Sequence, residues 1–505
     1  MAMRGGRWRL VGVLFTAVLA VAGLAGCSGD ALPEAEGAGH AGGIGGDRGD
    51  PVPPQPVDIP LTTDAGRASG GVVAAGAPGA PYNYGPTVMV DGDRTRVWWC
   101  SQYPSAPPPG DDILYGESAA LDGPFAGPGG AAPVAVLSGN PGHFDGQHTC
   151  DPSVIRVDGT YYLYYTGAAG DHALGNSIGL ATSRDGITWT RADGGNPIVA
   201  PAGDVHRDNT YGAGQPAVVY LDGWFYLMFT DTTGGAAGWN GAGQFLVRSK
   251  DPAFATGVQS LGDNGFTPVP STATPRTRSV VDAFSADLMW VDALNAFAIA
   301  HETQDGTTIT FYNRDFTFTP YRPVVVPGPW EEGPGLARGP AGHAPVSVAD
   351  PCGRVPVDIL RATVIGQANA PTDLRHFGVD ITGVSGCATR AQALAVLNGF
   401  AMPSPVRTMD LVVEGRLVRF DRRSVAERLA RKVLDRRIDV LDEVPVAGHI
   451  SSGTPAVEAP GYGVGLIVDG RLWPVGSADV VALNGSTVEP ITAAQWLGYP
   501  MGPAL

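Results

Sequence analysis

Basic residues are scarce: 33 Lys and Arg stand against 49 Asp and Glu in 505 residues, a formal net charge of -16. That balance excludes a nucleic-acid partner, since a phosphate-binding surface needs a basic excess. Cysteine is rare too, at five, and no pair has the CxxC spacing of a zinc site. Beyond residue 24 there is no long apolar run, so no later segment reads as a membrane-spanning helix. Aromatics, 8% overall, almost vanish from residues 28–80, where Gly, Ala, Pro and acidic residues dominate. Such a stretch buries too little apolar surface to offset its ordering entropy, and it reads as a disordered tether. What the chain has in plenty is Gly (72) and Pro (44), the signature of many turns joining short strands.

The first residues carry Arg4, Arg7 and Arg9, then an apolar stretch from Leu10 to Leu24, then Leu24-Ala25-Gly26-Cys27. Basic, apolar and small residues in that order form a secretory signal. A small-residue site ending in Cys resembles the bacterial lipoprotein signal, which implies lipidation of Cys27, a membrane anchor and an extracytoplasmic location. Four cysteines remain, and in an exported chain an even number points to disulfides. Proximity favours Cys100 with Cys150 and Cys352 with Cys387, among three possible connectivities.

An internal repeat organises residues 81–388. Asp151-Pro152-Ser153 leads through Asp158-Gly159 to Tyr161-Tyr162-Leu163-Tyr164-Tyr165, two strands joined by an Asp-Gly turn. The unit returns at Gln215-Pro216-Ala217 through Asp222-Gly223 to Trp224-Phe225-Tyr226. Weaker copies begin at Gly85-Pro86, Asp287 and Gly342-His343. A second strand pair follows each copy, most clearly after Ser183-Arg184-Asp185-Gly186-Ile187-Thr188-Trp189. Four strands every 60 to 70 residues predict an all-β five-bladed β-propeller.

These motifs, with Gly339-Pro340-Ala341-Gly342-His343, resemble the five-bladed propellers of glycoside hydrolase family 43 and its arabinanase and xylosidase relatives. The resemblance covers some three-fifths of the chain. It implies a polysaccharide partner bound where the innermost strands begin: Gly85-Pro86, Asp151-Pro152, Gln215-Pro216, Asp287 and His343. Glycoside hydrolysis needs a carboxylic acid and a carboxylate. The family places a base Asp, an orienting Asp and an acid Glu on the first three blades, which map to Gly85, Asp151 and Gln215. Only Asp151 matches. The expected catalytic carboxylates are therefore Asp151 and Asp287, with Glu302 as substitute acid. Turn capping or blade-to-blade bonding accounts for the same residues structurally. Gln215, His148, Asp208, Trp239 and Tyr211 are the expected substrate contacts, with Tyr84 and Trp330 as further stacking rings. His343 is the expected metal ligand, with calcium as the candidate ion on the propeller axis and no cofactor required for the reaction. The function implied is a surface-anchored glycoside hydrolase-like protein for arabinose- or xylose-type polysaccharide. The alternatives are a non-catalytic glycan-binding propeller and a structural cell-envelope lipoprotein.

From residue 389 the pattern changes to a small α+β module. Ala391 to Leu397 and Ser424 to Leu434 read as helices, the second inside a basic patch. Leu411-Val412-Val413-Glu414-Gly415-Arg416-Leu417-Val418 matches Leu466-Ile467-Val468-Asp469-Gly470-Arg471-Leu472-Trp473, so the module holds two short repeats. They look similar to terminal modules of bacterial surface proteins, which implies wall, glycan or protein contact.

Overall fold

The computed structural model describes residues 58–76, 80–171, 175–366 and 369–505. Cys27, the leader and the first part of the expected tether lie outside the described residues. The described residues are mostly β with few helices. Among the described residues no helix is long and apolar enough to cross a membrane.

The strands assort into sheets in chain order. After β1 (Thr62–Ala68) come β2 (Asn83–Asp91), β3 (Arg94–Ser101), β4 (Asp112–Ser118) and β5 (Val134–Leu137). The next unit is β6 (His148–Val157), β7 (Thr160–Ala168), β8 (Ser177–Ser183) and β9 (Thr190–Arg191). Then follow β10 (Ala213–Leu221), β11 (Trp224–Asp231), β12 (Gln244–Ser249), β13 (Gln259–Gly262) and β14 (Gly265–Pro268), one strand more than the repeat predicts. β15 (Ala286–Val291), β16 (Ala296–Thr303), β17 (Gly306–Tyr312) and β18 (Val324–Val326) form another unit. β19 (Glu332–Arg338), β20 (Arg354–Ala362) and β21 (Leu374–Thr382) form the last, completed by β1 on its outer edge. The Asp-Gly turns behave as their sequence dictates: Asp158 and Gly159 have φ of 48° and 75°, Asp222 and Gly223 49° and 81°. Two positive φ values in a two-residue turn match the twist of the flanking strands.

β19 also pairs in parallel with β2, closing the first unit on the last. Gly335 permits this approach, since a Cβ there would fall 2.1 Å from Pro86 O. Faces of neighbouring units pack on each other: Tyr161, Leu163 and Tyr165 of β7 meet Trp98 and Tyr115 of β3 and β4. The Cys100–Cys150 disulfide ties β3 to β6, and Cys352–Cys387 ties the approach to β20 to the end of the last unit. Both expected pairings are present.

Two expectations are corrected. The tether does not reach residue 80, because β1 is a strand. Its side chains are mostly exposed, so its composition reads as linker, yet its backbone fills the open edge of β21. Arg67 Nε and Nη1 bond Asp358 Oδ1 at 2.8 Å and Asp380 Oδ1 at 2.6 Å, and Arg354 joins Asp64 to Asp380. The last unit begins at Glu332, not at His343, which lies in the loop after β19.

The C-terminal module has α1 (Arg390–Val396), β22 (Phe400–Pro403), β23 (Met409–Val413), β24 (Arg416–Phe420), α2 (Arg423–Leu429), β25 (Lys432–Val433) and β26 (Val446–Ile450). It continues with β27 (Ala456–Ala459), β28 (Gly463–Val468), β29 (Arg471–Val475), α3 (Ala478–Asn484), β30 (Val488–Pro490) and α4 (Ala493–Gly498). The two repeats share one topology. In each, three antiparallel strands lead into a helix, and the strand after the helix pairs in parallel with the first (β25 with β22, β30 with β27). The second expected helix stops at Leu429, because Arg431 N and Leu434 N donate to Gly399 O and Ala401 O instead. The basic patch is partly neutralised within the module: Arg437 meets Asp410 and Asp442, and Arg423 meets Glu427.

Candidate functional site

The innermost strands β2, β6, β10 and β19 each start with the same irregularity. Gly85, Asp151, Gln215 and Gly333 precede a proline, and their φ values are 53°, 45°, 51° and 43°. The ladder register slips at each: between Tyr84 and Thr87, Cys150 and Ser153, Gly214 and Ala217, Glu332 and Gly335. These are β-bulges, which bend a strand and re-aim a side chain. Left-handed φ at a non-glycine residue costs on the order of 1–3 kcal/mol and concentrates at functional sites. Asp151 and Gln215 carry that cost; Gln215 is held by its backbone N–H donating to Thr166 Oγ1 at 2.8 Å.

The bulges converge on one narrow, open cleft with a cavity of about 40 Å³, lined by Asp151, Gln215, Ser285, Asp287 and Glu332 among the strand-starting prolines and glycines. Tyr211 Oη donates to Asp151 Oδ2 at 3.2 Å. Burial lifts the Tyr211 and Tyr84 phenols well above their usual range, and the negative charges of Asp151 and Glu332 push the same way. Both therefore remain O–H donors. Ser285 Oγ donates to Gln215 Oε1 at 3.0 Å. Gly85 keeps the floor clear: a Cβ there would stand 2.9 Å from Asp151 Oδ1.

Asp287 lines the cleft but is buried and already engaged. Its Oδ1 accepts from Leu288 N and its Oδ2 from Leu336 N, each at 2.8 Å, and Arg338 Nη1 lies 3.2 Å from Oδ1. Burial raises its carboxyl above the usual range, against the pull of Arg338 and the two amides. Arg338 is itself a hub on the axis. It donates to Leu288 O at 2.5 Å, Val218 O at 3.1 Å and Thr87 Oγ1 at 3.1 Å, with Ser153 Oγ at 3.5 Å. One side chain of β19 thus bonds β2, β6, β10 and β15.

The loop 339–344 bonds the inner strands of three units, β6, β10 and β15. Arg156 N, Tyr220 N and Trp290 N donate to Pro340 O, Ala341 O and Gly342 O at 2.7, 2.9 and 3.1 Å. His343 is here, away from the cleft. Its Nδ1 meets Asp292 Oδ2 at 2.9 Å and its Nε2 meets Tyr220 O at 3.0 Å. Both ring nitrogens face acceptors, the pattern of an imidazolium rather than a metal ligand.

Glu302 does not reach the cleft. It accepts from Thr307 Oγ1 at 2.9 Å and lies 3.9 Å from Arg361 Nη1, between β16 and β20. Burial pushes it up to about 7, against the pull of Arg361. His148 Nδ1 accepts from Asp111 N at 3.0 Å, behind the cleft wall. Asp208 is exposed on the loop before β10. Trp239 sits on the loop between β11 and β12, which opens on the cleft side because β11 runs back toward Ala213. It is 71% exposed, and Trp330, beside Glu332, is 37% exposed. Arg207 pins the Trp239 loop through Thr232 O, Gly234 O and Ala237 O.

Sequence reading missed Glu332 and Arg338. The signal for Glu332 was present: Glu332-Gly333-Pro334 repeats Tyr84-Gly85-Pro86. Arg338 had none, since a buried hub is visible only in three dimensions.

No family model and no curated protein matches the chain. Solved structures do show likeness. A family 117 glycoside hydrolase of the marine bacterium Zobellia galactanivorans is 12% identical over 65% of this chain and 92% of its own, with a TM-score of 0.43. The catalytic domain of the Coprinopsis cinerea GH62 alpha-L-arabinofuranosidase is 13% identical over 64% and 98%, at 0.40. Sucrose-6-phosphate hydrolase from Lactobacillus gasseri is 12% identical over 71% and 64%, at 0.41. At these identities and scores the likeness carries no activity over to this chain.

Proposed function

We propose that the chain is a lipid-anchored, glycoside-hydrolase-like protein whose five-bladed propeller, of the family 43 type, holds a neutral sugar unit of an arabinose- or xylose-type polysaccharide in the axial cleft. One observation carries the reading: bulged strand starts from different sheets deliver Asp151, Gln215 and Glu332 to a single cavity. Carboxylates and an amide are the groups that bond sugar hydroxyls. The exposed rings of Trp239 and Trp330 on the same face suit stacking against a sugar. Lipid on Cys27 holds the cleft outside the membrane, and the C-terminal repeats contact the wall, a glycan or a protein.

Calorimetric titration of the full chain in detergent against arabinan, xylan, fructan and wall glycans tests the cleft. One neutral class binds, and Gln215→Ala weakens it about tenfold, equivalent to ~1.4 kcal/mol. No binding across the panel sinks the reading. For the anchor, incorporation of labelled palmitate disappears in Cys27→Ala, with release of the protein into the medium.

A further inference from the structure

We infer that the Cys100–Cys150 disulfide is a positioning device for the axial cleft: it holds the bulge that aims Asp151, and Thr166 does the same one unit on for Gln215. This deepens the saccharide reading and rests on it. Strand register makes the two equivalent. Cys100 on β3 stands opposite Tyr84, Thr166 on β7 opposite Cys150, and Thr230 on β11 opposite Gly214. Each partner is the residue before Gly85, Asp151 or Gln215, so one repeat position recurs in three units. Its side chain differs with what the next unit offers. Cys100 bonds Cys150, the residue at which the register slip around Asp151 begins. Thr166 Oγ1 accepts from Gln215 N at 2.8 Å, inside the slip between Gly214 and Ala217. The inner strand after Thr230 is β15, which pairs without a slip. There Thr230 Oγ1 donates to Gly243 O at 3.2 Å, within its own unit. The position braces the next unit only where that unit has a bulge to hold.

A left-handed φ at Asp151 persists only if its surroundings hold it. The disulfide does so at close range: Cys150 Sγ lies 3.6 Å from Asp151 Oδ1 and 3.1 Å from Tyr84 Oη, and both cysteines are buried. Tyr84 leads into Gly85, which lines the cleft with Asp151 and leaves its carboxylate room. The bond therefore fixes two walls of the cleft against each other. A binding constellation has to be held to within about 0.5 Å, which a covalent brace between neighbouring units provides. Cys352–Cys387 is the matched control. It spans 35 residues against 50, so chain entropy gives the two disulfides nearly the same weight in global stability. Neither of its cysteines lines the cleft.

The test compares full chains in detergent: Cys100→Ser with Cys150→Ser, Cys352→Ser with Cys387→Ser, Thr166→Val, and Thr230→Val. Calorimetry with arabino- and xylo-oligosaccharides reads affinity, and amide hydrogen exchange reads the bulges with no ligand present. Both double variants lose stability to a similar degree, but only the first loses affinity, by about tenfold. Amides at 150–154 exchange faster in the first than in the second. Thr166→Val weakens affinity about threefold and speeds exchange of the Gln215 amide, whereas Thr230→Val changes neither. Equal affinity in the two double variants, or equal exchange at 150–154, overturns the inference. Equal effects of the two threonine variants overturn it as well, and that pair decides if the first double variant does not fold. Wild type that binds no oligosaccharide overturns the saccharide reading, and exchange at 150–154 and at Gln215 then decides the brace by itself.

Discussion

Asp151 and Asp287 both begin an innermost strand and both line the same cleft, yet their carboxylates are engaged differently. Asp151 sits on a bulge at φ 45° and takes a phenol hydroxyl. Asp287 sits on a strand that pairs without a register slip, and spends its oxygens on Leu288 N, Leu336 N and Arg338. A carboxylate on a bulge is turned outward; one on a regular start is drawn into the wall. The difference teaches that position in a repeat does not give a residue its role. The backbone around it does.

Variants should separate the two. Arg338→Met carries the largest expected effect. It strands the buried Asp287 and leaves Val218 O and Leu288 O without their donor, so stability falls by about 5 kcal/mol in denaturant titration. Asp287→Asn follows at about 3 kcal/mol, since Arg338 then lacks its counter-charge. Asp151→Asn should change stability by no more than about 0.5 kcal/mol, because Asn accepts positive φ well, while saccharide affinity falls. Equal stability losses in these two Asp variants would erase the distinction between the two carboxylates.

Glu302 sharpens the comparison as a buried acid off the axis. Its folded pKa of about 7 lies above the ordinary 4.5, so the folded state keeps a proton that the unfolded state releases. That contribution to stability therefore declines as pH rises from about 4.5 to about 7. Glu302→Gln should flatten this part of the pH profile and be at least as stable at pH 8. His343, in the loop after β19, should give the smallest effect and the opposite origin. Burial works against its charge, but Asp292 and Tyr220 O outweigh it and hold its pKa above the usual value. Its stabilisation is full below about pH 6.5 and is lost as pH rises through the raised value. His343→Gln should cost about 1 kcal/mol at pH 6 and less in alkali.

Much of the fold was legible because its signals are local. Asp158-Gly159 and Asp222-Gly223 specify turns, and Asp151-Pro152 and Gln215-Pro216 mark strand starts whatever the rest of the chain does. The duplicate hairpins at 411–418 and 466–473 were readable for the same reason. Harder were residues whose role depends on distant partners. Glu332-Gly333-Pro334 lacks the apolar β-branched run that follows Asp151-Pro152, so the pattern points to His343 instead. Asp287 looked like Asp151 in sequence, and nothing local tells that Arg338 will meet it. β1 was hidden by its composition, since an edge strand needs only backbone and a few ion pairs.

β1 also gives the molecule a mechanical character. Asp58 and Ile59 dock on Pro320, Tyr321 and Arg322 ahead of this strand, so a pull from that side loads those contacts first and the β1–β21 ladder next. Arg67 and Arg354 act there as rivets between β1 and the rest of the closing sheet. Force on the leading segment would therefore be felt as shear on a ring clasp rather than as strain in the cleft. The closing sheet would open at its edge strand before the cleft was disturbed.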